Sequence, residues 1–380
     1  MKKILFILPS LCIGGMERVQ VTIANKLADA GYQVTVMTFD EGYDLRGELS
    51  DKVRFIHKKP KPFRLMRKIP YIRYKFYDSG LWETRASAKK LYQYYVGDEH
   101  YDVEIAFFRG RAVKIISGST NKESRKIAWV HSDLSKAGSF SANFKNDDEA
   151  RAAYKQFDKV VCVSKEAEKG FQEKVVNTGN TTTIYNMIPV DTIRRLSLKG
   201  KTEREELKGI NAIIVGRLVD STKGHSRLIR ALSRVNNEGN SINLTVLGDG
   251  PDRNLINQCI RENRASDYIR MIGSKKNPYP YIESSDLLVC ASVFEGFPLN
   301  VAEAIVLGTP VLSTDCTGPN EILDYGKYGM IVENSEEGLY NGLKQLVENL
   351  DLLKEYKEKA LQRQDFFDED KILKQITDLF

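Results

Sequence analysis

No run in the sequence approaches the roughly 18 consecutive apolar residues that cross a bilayer as a helix, so no membrane-spanning helix is expected. Cysteine is scarce: Cys12, Cys162, Cys259, Cys290 and Cys316 are scattered, odd in number and form no C-x-x-C. That argues against a disulfide framework and a zinc site, and it suits a reducing cytosol. The dinucleotide fingerprint G-x-G-x-x-G is missing twice, because Gly14-Gly15 does not fit it and Gly248-Asp-Gly250-Pro-Asp-Arg253 lacks the third glycine. Ser164 lies in no G-x-S-x-G elbow and is read instead as the cap of a helix starting at Lys165. Asp368-Glu-Asp370 has the D-x-D spacing of a metal site, but it opens a short helix where acids favour the dipole. No metal is assigned to the chain. Long low-complexity tracts and short-period repeats are also missing, so the whole chain is expected to fold.

The composition is ordinary for a globular protein, with 42% hydrophobic and 28% charged residues. A length of 380 residues exceeds one compact domain of roughly 100–200 residues and points to two. Runs rich in Val and Ile alternate with amphipathic stretches of helical length, the pattern of βαβ units on a parallel sheet. Strands are predicted near 3–9, 33–39, 53–57, 102–108, 126–132, 159–164 and 181–186, and a second series near 212–217, 242–248, 268–273, 286–291, 310–314 and 329–333. The first strand begins after Met1-Lys-Lys; Gly14, Gly15, Glu17 and Arg18 interrupt the apolar run too early for a secretion signal. Pro189 and the polar stretch Ser197–Lys208 fit neither series, which puts the domain boundary near 187–208. A long helix or helix pair is predicted from Ser335 to Arg363, and a short amphipathic one over 369–380 whose apolar face needs a cover. The fold class is α/β, two Rossmann-like lobes. Open parallel sheets bind ligands beyond the carboxyl ends of their strands, so the site is expected there.

Charge is uneven. Residues 1–200 hold 35 Lys+Arg against 23 Asp+Glu, and the rest hold 22 against 28. A basic first half attracts an anionic partner. Its densest part, residues 57–77, carries eight Lys and Arg and no acid, interleaved with Phe63, Leu65, Met66, Ile69, Tyr71, Ile72 and Phe76. Peripheral contact with an anionic membrane through residues 58–75 is favoured over a solvated loop or single-stranded nucleic acid.

Four motifs follow predicted strands. Glu295-Gly-Phe-Pro-Leu-Asn-Val-Ala-Glu303 places one carboxylate in a loop and one about two turns into a helix, able to grip sugar hydroxyls while the helix start meets phosphate. The bland alternative is a dipole-favoured acid and an ordinary surface glutamate. Arg217 and Lys223 bring two cations to a strand end, either to neutralise a departing diphosphate as a metal would, or as solvated surface. Gly14-Gly15 is an anion-approachable loop or a plain tight turn. His131 is polar where an apolar strand opens into the expected cleft, a functional or a structural histidine.

Together these residues resemble glycosyltransferase family four, the retaining GT-B transferases. The resemblance runs through Gly14-Gly15, Trp129–Asp133, Val160–Lys165, Ile184–Ile188, Val215–Gly224, Val246–Pro251, Ile269–Gly273 and the block Asp286–Leu323. It implies an acceptor-binding lobe at 1–187, joined by a C-terminal helix at 364–380, and a nucleotide-sugar lobe at 188–363, with a cleft between them. The activity it implies is a retaining, metal-independent hexosyltransferase. Such an enzyme moves a hexose or N-acetylhexosamine from a nucleoside diphosphate sugar, UDP favoured, to a glycan or lipid-linked glycan in cell-surface polysaccharide or glycoconjugate synthesis, with no cofactor besides that co-substrate. Nucleic acid is not an expected partner, and the expected place is cytoplasmic, peripheral on the inner face of the cell membrane. By resemblance Glu295 meets the donor hexose and Glu303 the ribose, and the backbone of Gly296, Phe297, Pro298 and Leu299 meets sugar and diphosphate. Arg217 and Lys223 fall at the diphosphate, Gly248, Gly250 and Ile272 near the base, and Gly14 and Gly15 at the diphosphate from the other lobe. His131 falls near the reacting sugar, completing a catalytic set with Glu295, Arg217 and Lys223. One departure stands out: many members carry Gly-Gly before a downstream glutamate, whereas this chain has Cys316-Thr-Gly-Pro-Asn-Glu321. An epimerase or phosphorylase of similar architecture, or a non-catalytic partner subunit, remains the alternative.

Overall fold

The computed structural model describes residues 1–59, 81–136, 139–199 and 208–380. Most of the basic segment assigned to a membrane surface, from 60 onward, lies outside the described residues, as do residues 200–207 of the polar stretch. The chain divides into two units, Met1–Met187 with Asp370–Phe380, and Ile188–Glu369.

In the first unit β1 (Lys3–Leu8), β2 (Gln33–Thr38), β3 (Arg54–His57), β4 (Val103–Ala106), β5 (Arg125–Val130), β6 (Lys159–Cys162) and β7 (Thr181–Thr183) form one parallel sheet in the order β3-β2-β1-β4-β5-β6-β7. Ile4 pairs with Val34 on one side and Val103 on the other. Helices cover both faces, so the central strands are near-continuous apolar runs: Ile4 to Ile7 are fully buried. The crossovers and flanking helices are α1 (Gly15–Asp29), α2 (Leu81–Arg85), α3 (Ala88–Tyr95), α4 (Arg111–Ser117), α5 (Asp147–Tyr154) and α6 (Lys165–Lys174). Ser164 caps α6, its hydroxyl accepting from Ala167 N at 3.2 Å.

The second unit repeats the plan with β8 (Ile210–Val215), β9 (Ile242–Leu247), β10 (Ile269–Gly273), β11 (Leu287–Cys290), β12 (Val311–Thr314) and β13 (Met330–Val332), parallel in the order β10-β9-β8-β11-β12-β13. Its helices are α7 (Val190–Ser197), α8 (Asp220–Lys223), α9 (His225–Asn237), α10 (Arg253–Glu262), α11 (Tyr279–Glu283), α12 (Leu299–Leu307), α13 (Thr317–Ile322), α14 (Glu336–Glu348) and α15 (Asp351–Arg363). The predicted stretch 335–363 is thus a helix pair.

One helix and one boundary differ from the sequence reading. Residues 190–197, inside the expected boundary region, form helix α7, because Ile193 has an apolar face of the second unit to bury itself in. Residues 364–369 do not join the first unit with the last helix, α16 (Glu369–Thr377). Gln364 Nε2 donates to Val306 O at 2.9 Å and Phe367 is buried, which anchors that stretch in the second unit. From Asp370 the chain belongs to the first unit, where Ile372 and Ile376 are buried. There Arg125 Nε donates to Leu379 O at 3.1 Å, and Phe380 meets the Tyr32 ring edge-on at 5.6 Å.

Candidate active site

A doubly wound sheet binds ligands where its strand order reverses. In the second unit that point lies between β8 and β11, and the loops leaving those strands carry Arg217, Lys223 and Glu295. Val293 N donates to Thr222 O at 2.8 Å and joins the two loops. Behind them Arg227 donates to Ala291 O through Nε and Nη2, at 3.0 and 2.7 Å, and to Asn334 Oδ1 at 2.7 Å. In front, Lys223 Nζ donates to Glu295 Oε1, which also accepts from Ser292 Oγ at 2.7 Å. No described residue donates to Glu295 Oε2. Burial alone would pull the Lys223 ammonium down, but the Glu295 carboxylate outweighs it and leaves the group above its ordinary value, firmly cationic. Arg217 is exposed, and its guanidinium has no hydrogen-bond or ion-pair partner among the described residues.

The Glu295–Leu299 turn is held from both sides. Asn300, in the first turn of α12, donates through Nδ2 to Val215 O at 2.8 Å and fixes the helix start at the end of β8. Phe297 turns its side chain inward, 6% exposed, leaving only its backbone for a ligand. Glu303 is 9% exposed in the second turn. A Cβ on Gly318 would lie 2.6 Å from both Gly296 O and Pro298 Cδ, so α13 packs backbone to backbone on this turn. That accounts for the departure at Cys316–Glu321. Gly318 is the glycine the contact requires, and Pro319 sits in the first helical turn, where the N–H has no intrahelical acceptor to lose.

The residues expected near the base line up on the next strand exits. Gly248 has φ 154°, and a Cβ there would meet Gly216 O at 1.8 Å; only glycine permits the crossing. Gly250 also lies close to Leu218 O, 2.5 Å from its own notional Cβ, and Leu218 N donates to Asp249 O at 3.0 Å. Ile272 falls at an irregularity where the β10 register skips from Met271 to Gly273. Arg217, Lys223, Gly248, Gly250, Glu295 and Gly296 therefore belong to one cluster of contacting loops.

Gly14, Gly15 and His131 lie in the first unit. Gly14 precedes α1 in extended conformation, and the Glu17 carboxylate curls back to where a Cβ would stand, giving this helix start an acid of its own. His131 Nε2 lies 3.1 Å from Phe107 O, which can only accept, so that nitrogen carries the proton and Nδ1 presents a lone pair. Nδ1 is buried with no hydrogen-bond partner among the described residues. Burial, only partly offset by the Phe107 carbonyl, pushes the imidazole down to about 4, so it is neutral at physiological pH. Ser292, Asn300, Arg227 and Asn334, which hold the site in shape, were not singled out by the sequence, since nothing in their spacing distinguishes them from other loop polars.

Comparison with known proteins bears on the family and the fold. Residues 13–192 match the family described as Glycosyltransferase Family 4, and residues 200–363 the one described as Glycosyl transferases group 1. An uncharacterized glycosyltransferase of Methanocaldococcus jannaschii is 31% identical over 58% of this chain and 63% of its own length. The N-acetylgalactosamine-N,N'-diacetylbacillosaminyl-diphospho-undecaprenol 4-alpha-N-acetylgalactosaminyltransferase of Campylobacter jejuni is 33% identical over 50% of each. The chain thus spans less than two thirds of these two relatives, whereas an uncharacterized glycosyltransferase of Haemophilus influenzae, 27% identical, aligns over 96% of this chain and 94% of its own. Among solved structures, Anabaena HepE in complex with UDP and glucose superposes with a TM-score of 0.75 at 18% identity, covering 100% of this chain and 99% of that one. Staphylococcus aureus TarM gives 0.77 at 16%, covering 100% and 98%. At such identities the likeness establishes the fold, GT-B. Fold, motif order and the two matched segments lead to one conclusion: the chain belongs to the group 1 glycosyltransferases of family 4.

Proposed function

We propose that the chain is a retaining, metal-independent glycosyltransferase. It transfers a hexose or N-acetylhexosamine from a nucleoside diphosphate sugar, UDP favoured, to a glycan or lipid-linked glycan in cell-surface polysaccharide or glycoconjugate synthesis. One observation carries the reading: after the strand at the reversal of the second unit, Lys223 and Arg217, the latter without a partner among the described residues, stand opposite Glu295 and the start of α12. That set offers two cations and a helix start to a diphosphate, and a carboxylate oxygen to a sugar hydroxyl. The UDP and glucose named for HepE and the undecaprenol-linked substrate named for the Campylobacter enzyme support the substrate classes.

In the reaction the bond between the anomeric carbon and the β-phosphate oxygen breaks as the acceptor oxygen bonds to the same face through an oxocarbenium-like state. The departing diphosphate takes the acceptor's proton, so no protein nucleophile is needed. Arg217, Lys223 and the amides after Gly296 stabilise its developing charge. Glu295 Oε2 accepts from a hexose hydroxyl, Glu303 from the ribose, and His131 Nδ1 from a hydroxyl of the reacting sugar. Gly248, Gly250 and Ile272 border the base, and Gly14 and Gly15 the diphosphate. The enzyme works in the cytoplasm, peripheral on the inner face of the membrane through residues 58–75. The test is release of UDP from UDP-sugars in excess EDTA, with and without a polyprenyl diphosphate-linked glycan. Release that requires the acceptor and survives EDTA is expected; release without acceptor, epimerised donor, or strict dependence on added magnesium would contradict the reading.

A further inference from the structure

Each sheet reverses its strand order once, and in both the reversal carries an arginine with no acid partner among the described residues. In the second unit it is Arg217. In the first, the reversal lies between β1 and β4, where Phe107 N donates to Ile7 O at 3.0 Å, and the arginine is Arg109 in the Phe107–Gly110 turn. Gly110, at φ 73°, packs its backbone on Asn143 Oδ1 and Ala142 O, which fixes that turn.

Arg109 is half-buried, and its Nη1 is fully buried without a hydrogen-bond partner among the described residues. Its neighbours are neutralised. Arg111 also has a buried unpaired nitrogen, Nε, but it reaches Asp40 at 2.8 Å and Glu83 at 3.7 Å and stacks on Phe39 at 4.4 Å. Buried Lys114 has Glu149 at 3.3 Å and the carbonyls of Thr84 and Asn143 at 2.8 and 3.2 Å. A guanidinium that gives up water without gaining a counter-charge weakens the fold, so its place at a ligand-binding strand reversal calls for an anion from outside. The same turn is tied to the next strand exit, where His131 Nε2 lies 3.1 Å from Phe107 O, two residues before Arg109.

We propose that Arg109 binds a phosphate group of a substrate, that of a lipid-linked diphosphate acceptor, at the strand reversal of the first unit. The identity of the ligand rests on the transferase reading above; the anion site does not. A planar guanidinium suits two phosphate oxygens at once.

Calorimetry on the full-length protein tests this with two probes, farnesyl diphosphate in the presence of saturating UDP, and UDP alone. Arg109→Gln should weaken farnesyl diphosphate by about tenfold or more and leave UDP unchanged, with Arg109→Lys retaining much of the affinity. Loss of UDP affinity with farnesyl diphosphate unaffected would keep the phosphate site but assign it to the donor. Thermal stability separates a ligand contact from a structural one: Arg109→Gln should melt at or above wild type. A folded variant that binds both probes normally, or one that melts clearly lower, overturns the proposal. If wild type binds farnesyl diphosphate but no UDP, the transferase reading fails while Arg109 is still judged.

Discussion

At the residue scale, chemistry follows from which polar atoms are satisfied and which are left open. Lys223 and Glu295 satisfy one another and Ser292 completes the set, yet Glu295 Oε2 and the Arg217 guanidinium stay available among the described residues. Those three charges were legible in the sequence because each follows a predicted strand. Arg109 was not: among 57 Lys and Arg the sequence does not tell which stand half-buried with no acid partner among the described residues. His225 makes a separate point. It is 1% exposed at the start of α9 with both ring nitrogens unpartnered, and burial, reinforced by the Lys223 charge and opposed by Asp220 and Asp252, pushes it down to about 4. The unfolded chain protonates this histidine below its ordinary 6.5, whereas the folded chain does not until about 4. Its contribution is therefore intact above that upper value and is lost as the pH falls through the window between the two. The loss amounts to about 3 kcal/mol. In urea titrations across this range, His225→Phe should flatten the decline relative to wild type; an identical slope would show that His225 does not drive it.

At the element scale, the strands were readable to within two residues at each end, because a parallel sheet covered on both faces demands continuous apolar runs. The exception is β7, expected over 181–186 and found only at Thr181–Thr183, an edge strand of threonines. Helix α7 was missed because eight residues with one deeply buried isoleucine carry little period to read. The contact of α13 with the Glu295–Leu299 turn was also invisible, since a glycine needed for close approach looks like any other. Gly318→Ala should force its methyl against Gly296 O and Pro298 Cδ, costing about 1–3 kcal/mol and weakening nucleotide binding. Gly47→Ala, with nothing within 4 Å of the added carbon, is the control. Equal melting temperatures and UDP affinities for the two variants would remove α13 from any part in shaping the turn.

At the scale of the whole molecule, the chain builds the same doubly wound plan twice, and the alternation of strand and helix made that duplication plain from the sequence. The end of the second unit was less plain. Its entry and exit lie side by side, Val190 N donating to Glu369 Oε1 at 3.2 Å, a pairing across 179 positions that no local pattern announces. The account turns on the second unit holding a nucleoside diphosphate by arginine, lysine and backbone amides. Calorimetric titration of UDP in excess EDTA, wild type against Lys223→Ala, tests this most directly. Wild type should bind, and the folded variant should bind about tenfold or more weakly. No heat from wild type with UDP or GDP, or equal affinity in the variant, would contradict it.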